Sequence, residues 1–236
     1  PLNAEGETAK TLEGQIVGIA DKIDNICAVF AEGKKPTGSS DPLGVRRAAL
    51  GIIRTILAAN LEIDIAKLIK SALEFLPAGN KNVAEEINEF FTQRLIIFLS
   101  DKYSKNVLEA CSENALSDLN DYIKRVDAVS KLNCPSLLES ANRVLRMLKQ
   151  DSVKSVDKSL FKEPAERELY EQVLTVDESV SYDAYIKQLE VINPSVEKFF
   201  NDVLVMDKDD NVKENRLALL TMLKSKYKYI ADFSKL

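Results

Sequence analysis

Apolar residues recur at three- and four-residue steps along almost the whole chain, and strand-like alternation is nearly absent. Between residues 11 and 30, Leu12, Ile16, Ile19, Ala20, Ile23, Ile26, Cys27 and Phe30 trace one helical face. Gly33, just beyond, suits the left-handed residue that ends a helix. Asp41-Pro42 reads as an N-cap followed by proline at the first helical position, opening a helix to about Ala59. Further helices are predicted from Asp64 to before Pro77, and over 83–103, 105–112, 117–131, 136–150 and 164–176. Pro194 divides the next stretch into helices at 182–191 and 194–205, and a last helix opens in the polar run 207–211 and continues toward Ala231. The connections are short, so most helices pack against a neighbour, and the predicted fold class is all-α, a multi-helix array. Pro77-Ala78-Gly79-Asn80 is the predicted boundary. It gives domains 1–79 and 80–236, with the 83–103 helix central to the second.

Composition narrows the chemistry. The 236 residues are 45% hydrophobic and 29% charged, enough to bury a core without disulfides or metal. Only 8 glycines and 7 prolines exclude linker-like and low-complexity chains. There is no histidine, which removes Ser-His-Asp triads, Cys-His dyads, histidine-ligated metals and an imidazole base. Cys27, Cys111 and Cys134 form no CxxC pair and read as reduced, mostly buried thiols of a cytoplasmic protein. No apolar run approaches the length of a membrane span. The opening Pro1-Leu2-Asn3 carries neither methionine nor a signal pattern, as expected of a piece of a longer polypeptide. The net charge of −5 argues against a generally basic nucleic-acid binder, although a local patch decides binding more than the total does.

Three local motifs fail on inspection. Gly33 to Ser40 has P-loop-like glycine spacing, but Ser39 stands where lysine is needed and no strand precedes it. Asp207, Asp209 and Asn211 begin like a calcium loop, but Val212 replaces the glycine and Ala218 the bidentate glutamate, so helix capping is the better reading. Asp21 and Asp24 share a helical face at a spacing typical of solvated carboxylates. Arg46 and Arg47 sit in the first turns of their helix, where the dipole disfavours cations, so pairing of one of them with an acid such as Asp41 or with the preceding helix is expected. Contact with RNA or with other polypeptide is the alternative.

Two longer segments carry more specific information. One comprises Ala20-Asp21-Lys22-Ile23-Asp24, then Lys35-Pro36-Thr37-Gly38-Ser39-Ser40-Asp41-Pro42, then Arg46-Arg47-Ala48-Ala49-Leu50-Gly51. The other comprises Val196-Glu197-Lys198-Phe199-Phe200 through Met206, then Asn215-Arg216-Leu217-Ala218-Leu219-Leu220. Together with Ala141-Asn142-Arg143-Val144-Leu145 between them, they resemble the β subunit of the bacterial heterotetrameric glycyl-tRNA synthetase, in order and over nearly the whole chain. The resemblance implies the tail of an HD-type helical domain followed by a DALR-type anticodon-binding helical domain. It places Asp21 at the last metal-ligand position of an HD site whose other ligands are absent, so no metal is expected here. It further implies that the α subunit activates glycine with ATP. This chain would then contribute tRNA binding, with no cofactor of its own; ATP and magnesium serve the whole synthetase. The implied partners are glycine tRNA and the α subunit, in the cytoplasm and with no membrane.

Local charge fits that implication. Arg143, Arg146, Lys149, Lys154, Lys158 and Lys162 face only Asp151 and Asp157 in 142–162, while Lys224, Lys226 and Lys228 interleave with Tyr227 and Tyr229. Cations neutralise phosphate and a tyrosine ring can stack on an unpaired base. The expected tRNA-binding residues are therefore Asn142, Arg143, Arg146, Lys149, Tyr227 and Lys228, with no catalytic residue. Solvated helix faces would give the same pattern on charge alone. An HD-type phosphohydrolase fragment and an α-helical protein-interaction scaffold are the alternative readings.

Overall fold

A computed structural model describes residues 8–36, 41, 43–76, 83–148, 152 and 154–236. Ten α-helices account for most of these residues, and none of the described residues forms a strand. The Pro77–Asn80 turn, Thr37–Ser40, Pro42 and Lys149 lie outside the described residues.

The chain packs as two units, 1–124 and 125–236. The division falls inside a helix rather than at the predicted boundary near residue 79. In the first unit α1 (Leu12–Ala31) packs on α2 (Val45–Ala58) and α3 (Ile65–Phe75), and α4 (Ala84–Leu99) packs on all three. The α4 side chains Ile87, Phe91 and Leu95 are fully buried, and Phe90 meets Phe30 of α1 with ring centroids 5.3 Å apart. The 83–103 helix is thus a core element of the first unit, not of the second. Its apolar face is legible in the sequence, but nothing in its periodicity says which partner that face meets. Short α5 (Lys105–Ala110) packs on α4, and α6 (Leu119–Ser130) carries the chain from one unit into the next.

Local signals set most helix ends. Thr11 and Asp64 accept backbone N–H bonds at the starts of α1 and α3, and Gly33 takes φ 72° just after α1. The start of α2 differs from the Asp41-Pro42 reading. Gly44 adopts φ 67° before Val45, and the Asp41 carboxylate accepts the Arg46 N–H at 3.2 Å. The carboxylate therefore satisfies a first-turn donor although it stands three residues before the N-cap, and this bond to Arg46 is to the backbone N–H and not to the guanidinium.

The second unit consists of α7 (Pro135–Met147), α8 (Pro164–Leu174), α9 (Tyr182–Asp202) and α10 (Asp210–Ile230), with 3-10 turns at Lys158–Leu160 and Phe233–Lys235. Helix α9 packs on α7 and α8, and α10 packs on α7 and α8. Glu163 and Glu166 form a reciprocal capping box at the start of α8. The two helices predicted on either side of Pro194 are one continuous α9. Leu189, Ile192, Val196, Phe199 and Phe200 stay on one buried face across the proline, so tertiary packing outweighs the single lost N–H. Asp207 accepts the Asp209 N–H and Asp209 accepts the Asn211 N–H, so these acids order the entry to α10. Cys27 and Cys111 are buried and Cys134 half-buried, and none of the three is in a disulfide; burial pushes the Cys27 thiol up to about 12.

Candidate nucleic-acid interface

The acidic excess of the chain is uneven. Residues 1–124 hold 14 basic and 18 acidic side chains, whereas 125–236 hold 18 and 19, so the second unit is the more nearly balanced. Within it, α7 divides cleanly by face. Leu137, Ser140, Ala141 and Val144 are buried, while Ser136, Glu139, Arg143 and Arg146 step along the outside at intervals of three and four. This spacing puts the two arginines on one exposed stripe, as the sequence predicts.

The two arginines are held differently. The Arg143 guanidinium lies over the Phe200 ring of α9, 4.3 Å from its centroid, and Nη2 donates to the Phe200 carbonyl at 3.4 Å. Arg146 Nε donates to the Asn142 carbonyl at 3.2 Å, one turn back on its own helix, where the dipole of the last turn favours a cation. Asn142 Nδ2 in turn donates to the Leu138 carbonyl at 3.0 Å. Between α7 and α9 opens a cleft of about 310 Å³ lined by Ser136, Glu139, Ser140, Arg143, Glu197, Phe200 and Asn201. Behind it, Asn193 is only 3% exposed and donates to Ser136 Oγ at 3.1 Å and Glu197 Oε1 at 2.8 Å. One buried amide therefore ties the two walls together.

The remaining expected residues fare unequally. Lys228 is exposed near the end of α10, which packs on α7. Tyr227 is 1% exposed, with its ring 5.1 Å from that of Phe233. It cannot present a stacking face without leaving the core, so its place among the tRNA-binding residues is corrected here. The sequence does carry the signal: Leu219, Leu223, Tyr227 and Ile230 recur at helical steps and are all buried. Tyr229 Oη donates to the Glu178 carbonyl at 2.7 Å, and Lys226 pairs with Glu178 at 2.7 Å, so this pair of side chains fastens α10 to the segment before α9. In the upstream basic stretch, Lys158 covers the Tyr170 ring and Lys162 lies within 3.9 Å of both Asp207 and Asp209. Those cations are largely occupied within the unit.

The residues that sequence reasoning missed are Phe200, Glu197, Asn193 and Asn201. All but Asn193 stand in the segment that carries the family resemblance, but nothing in a helical period says that Phe200 meets Arg143. Asp21, by contrast, is exposed on α1, and no group of three or more metal-ligating side chains occurs among the described residues. No described helix is long and apolar enough to cross a membrane.

Comparison with known proteins follows the division into units. Residues 1–113 match the family model described as glycyl-tRNA synthetase beta subunit, and residues 137–228 match that of the DALR anticodon binding domain. The glycine–tRNA ligase beta subunit of Geotalea daltonii is 34% identical over 251 aligned residues, covering all of this chain and 36% of that relative. Those of Geobacter metallireducens and Dictyoglomus thermophilum are 33% and 32% identical, again over the whole chain and 37% of each relative. The chain spans about a third of the length of the curated relatives it matches. Both packed units are thus matched in order, the first by the glycyl-tRNA synthetase beta subunit model and the second by the DALR anticodon binding domain model, in a chain similar over its whole length to the beta subunits of glycine–tRNA ligases.

Proposed function

We propose that the second unit binds the anticodon arm of glycine tRNA and that α7 supplies the principal contact. The observation that carries this reading is the coincidence of the DALR match over 137–228 with the one helix whose outer stripe presents Arg143 and Arg146. In this reading the chain serves the ATP- and magnesium-dependent attachment of glycine to its tRNA, in the cytoplasm and together with the α subunit. The catalytic step itself lies outside these residues. Arg143 and Arg146, with Lys228 and the sequence-predicted Lys149, meet phosphate. An acidic protein needs such a concentration of cations, because its average surface repels the backbone.

Filter binding of the 236-residue chain to glycine tRNA across a salt series tests this. Affinity is expected to fall steeply with salt. Arg143→Ala combined with Arg146→Ala should lower the slope of log K against log salt by roughly 0.7–0.9 for each phosphate that is no longer neutralised. Lys228→Ala should lower it by no more than about one such step. An unchanged slope in the double variant would remove α7 from the interface.

The phosphohydrolase alternative makes an opposite claim about the first unit. The chain with added divalent metal is expected to hydrolyse no phosphoester. Turnover that disappears in Asp21→Ala would favour the hydrolase reading instead.

A further inference from the structure

We infer that a cavity in the first unit, walled by α3, α4 and the turn after α5, holds an aliphatic primary ammonium group. The site lies apart from the residues assigned to tRNA and goes beyond that reading.

The cavity measures about 200 Å³, and Ala66, Asn88, Thr92, Ser112, Ala115 and Leu116 are among the residues that line it. Its walls are joined before any ligand arrives, because the Ile65 N–H at the start of α3 donates to the Leu116 carbonyl at 2.9 Å. Asn88 Oδ1 is buried and has no hydrogen-bond partner among the described residues. A buried acceptor left unpaired is costly, so a donor is expected to reach it. The hydroxyls of Thr92 and Ser112 are already committed as donors. Thr92 Oγ1 donates to the Asn88 carbonyl at 2.9 Å and Ser112 Oγ to the Glu109 carbonyl at 2.8 Å. Each hydroxyl has one proton to give, so toward a ligand both oxygens only accept.

Three neutral acceptors therefore line one small cavity, and no ionisable side chain is among its described lining residues. Calcium and magnesium are held largely by carboxylate oxygens, and none is offered here. A phosphate or carboxylate would meet acceptors instead of a cation. The group that matches three acceptors is one with three donors and no acceptor, which is an ammonium. Ala66, Ala115 and Leu116 give the apolar wall along which its alkyl stem lies. The unit as a whole, with 14 basic and 18 acidic side chains, favours a cation. A lysine side chain of a polypeptide and a free alkylamine carry this same chemistry.

The experiment is a ligand-detected NMR titration of the 236-residue chain with n-propylammonium chloride at fixed ionic strength. Millimolar affinity is expected of so small a probe. Asn88→Leu keeps the size and removes the unpaired oxygen. It should fold as well as the parent, which its urea midpoint checks, and bind the probe about tenfold more weakly. Thr92→Val removes a second acceptor at the same shape and should also weaken binding; it reads the site if Asn88→Leu lowers the midpoint. Tetramethylammonium has the charge without an N–H and should not bind. Nα-acetyl-lysine N-methylamide separates the sources. Binding as tight as that of propylammonium assigns the group to a polypeptide lysine, and binding of propylammonium alone assigns it to a free alkylamine; both support the site.

No binding of propylammonium by the parent overturns the inference. So does equal binding by both variants, or binding of tetramethylammonium as tight as that of propylammonium, since the acceptors then play no part. A midpoint raised by potassium chloride over choline chloride, with no binding of propylammonium, makes the cavity a metal-ion site and overturns it as well. The tRNA-binding reading concerns the other unit and stands or falls separately.

Discussion

Replacing Arg216 by methionine is expected to destabilise the second unit by about 3–5 kcal/mol, the usual cost of stranding one member of a buried ion pair. Arg216 is 3% exposed and Glu166 0%, and they meet through Nε to Oε1 at 2.9 Å. The second guanidinium nitrogen, Nη1, donates to Asp207 Oδ2 at 2.8 Å and to the Leu204 carbonyl at 2.9 Å. Glu166 Oε2 meanwhile accepts the backbone N–H of Lys162 and of Glu163 at 2.8 and 2.7 Å. One arginine therefore joins α10, the start of α8 and the connection that follows α9. Methionine preserves much of the volume but leaves the Glu166 carboxylate in the core without its cation. Urea denaturation followed by tyrosine fluorescence reports mainly this unit, since five of the seven tyrosines lie beyond residue 124. The midpoint should fall by more than about 1 M at ordinary urea m-values. Glu166→Gln added to Arg216→Met should recover part of the loss, because the amide oxygen still caps α8 while the stranded charge is gone. A midpoint that barely moves in Arg216→Met would mean that water reaches the pair.

Acid should weaken the same junction. The Asp207 carboxyl is held below its usual range first by the Asp209 backbone N–H, then by Lys162 and Arg216. A lowered folded-state pKa stabilises the protein above the unfolded value of about 3.9, and that contribution is lost as pH falls through the lowered value. The neighbouring Asn215 exchanges two hydrogen bonds with the Asp157 backbone at 2.7 and 2.9 Å. The Asn215-Arg216 pair, which in the sequence serves only as part of a resemblance, is thus an internal fastener of the unit.

What the sequence makes legible, and what it hides, follow from the range of each signal. Capping and turn chemistry act over a few residues, so Asp64, Gly33 and the start of α8 can be read directly. Amphipathic period gives a helix and its inward face, which is why the exposed stripe bearing Arg143 and Arg146 follows from spacing. Period says nothing about which elements meet. The allegiance of α4, the position of the division between units and the seating of Arg143 on Phe200 all depend on contacts between distant segments. At Pro194 a strong local signal is overruled, because a break would turn Val196, Phe199 and Phe200 out of the face that α9 buries. At Tyr227 the flanking lysines draw attention to charge, although the leucines one and two turns earlier already assign the ring to the core.

Tyr227→Ala is expected to cost about 3–5 kcal/mol of stability, the range for removing a buried aromatic ring. The ring is 1% exposed and packs on Phe233, whose 3-10 turn packs in turn on α7. Loss of RNA binding by the alanine variant would therefore report loss of structure rather than of a stacking interaction. Tyr227→Phe separates the two. The buried hydroxyl has no hydrogen-bond partner among the described residues, and burial pushes its pKa upward. Removing an unpaired buried hydroxyl while keeping the ring relieves its desolvation, so this variant should be as stable as the parent or more so, by up to about 1–3 kcal/mol. Its affinity for glycine tRNA and its salt slope should match the parent's. The measurement is a pair of urea midpoints beside a pair of binding isotherms. Weaker RNA binding by Tyr227→Phe at an unchanged midpoint would place the hydroxyl at the RNA surface and contradict its burial between α10 and the terminal turn.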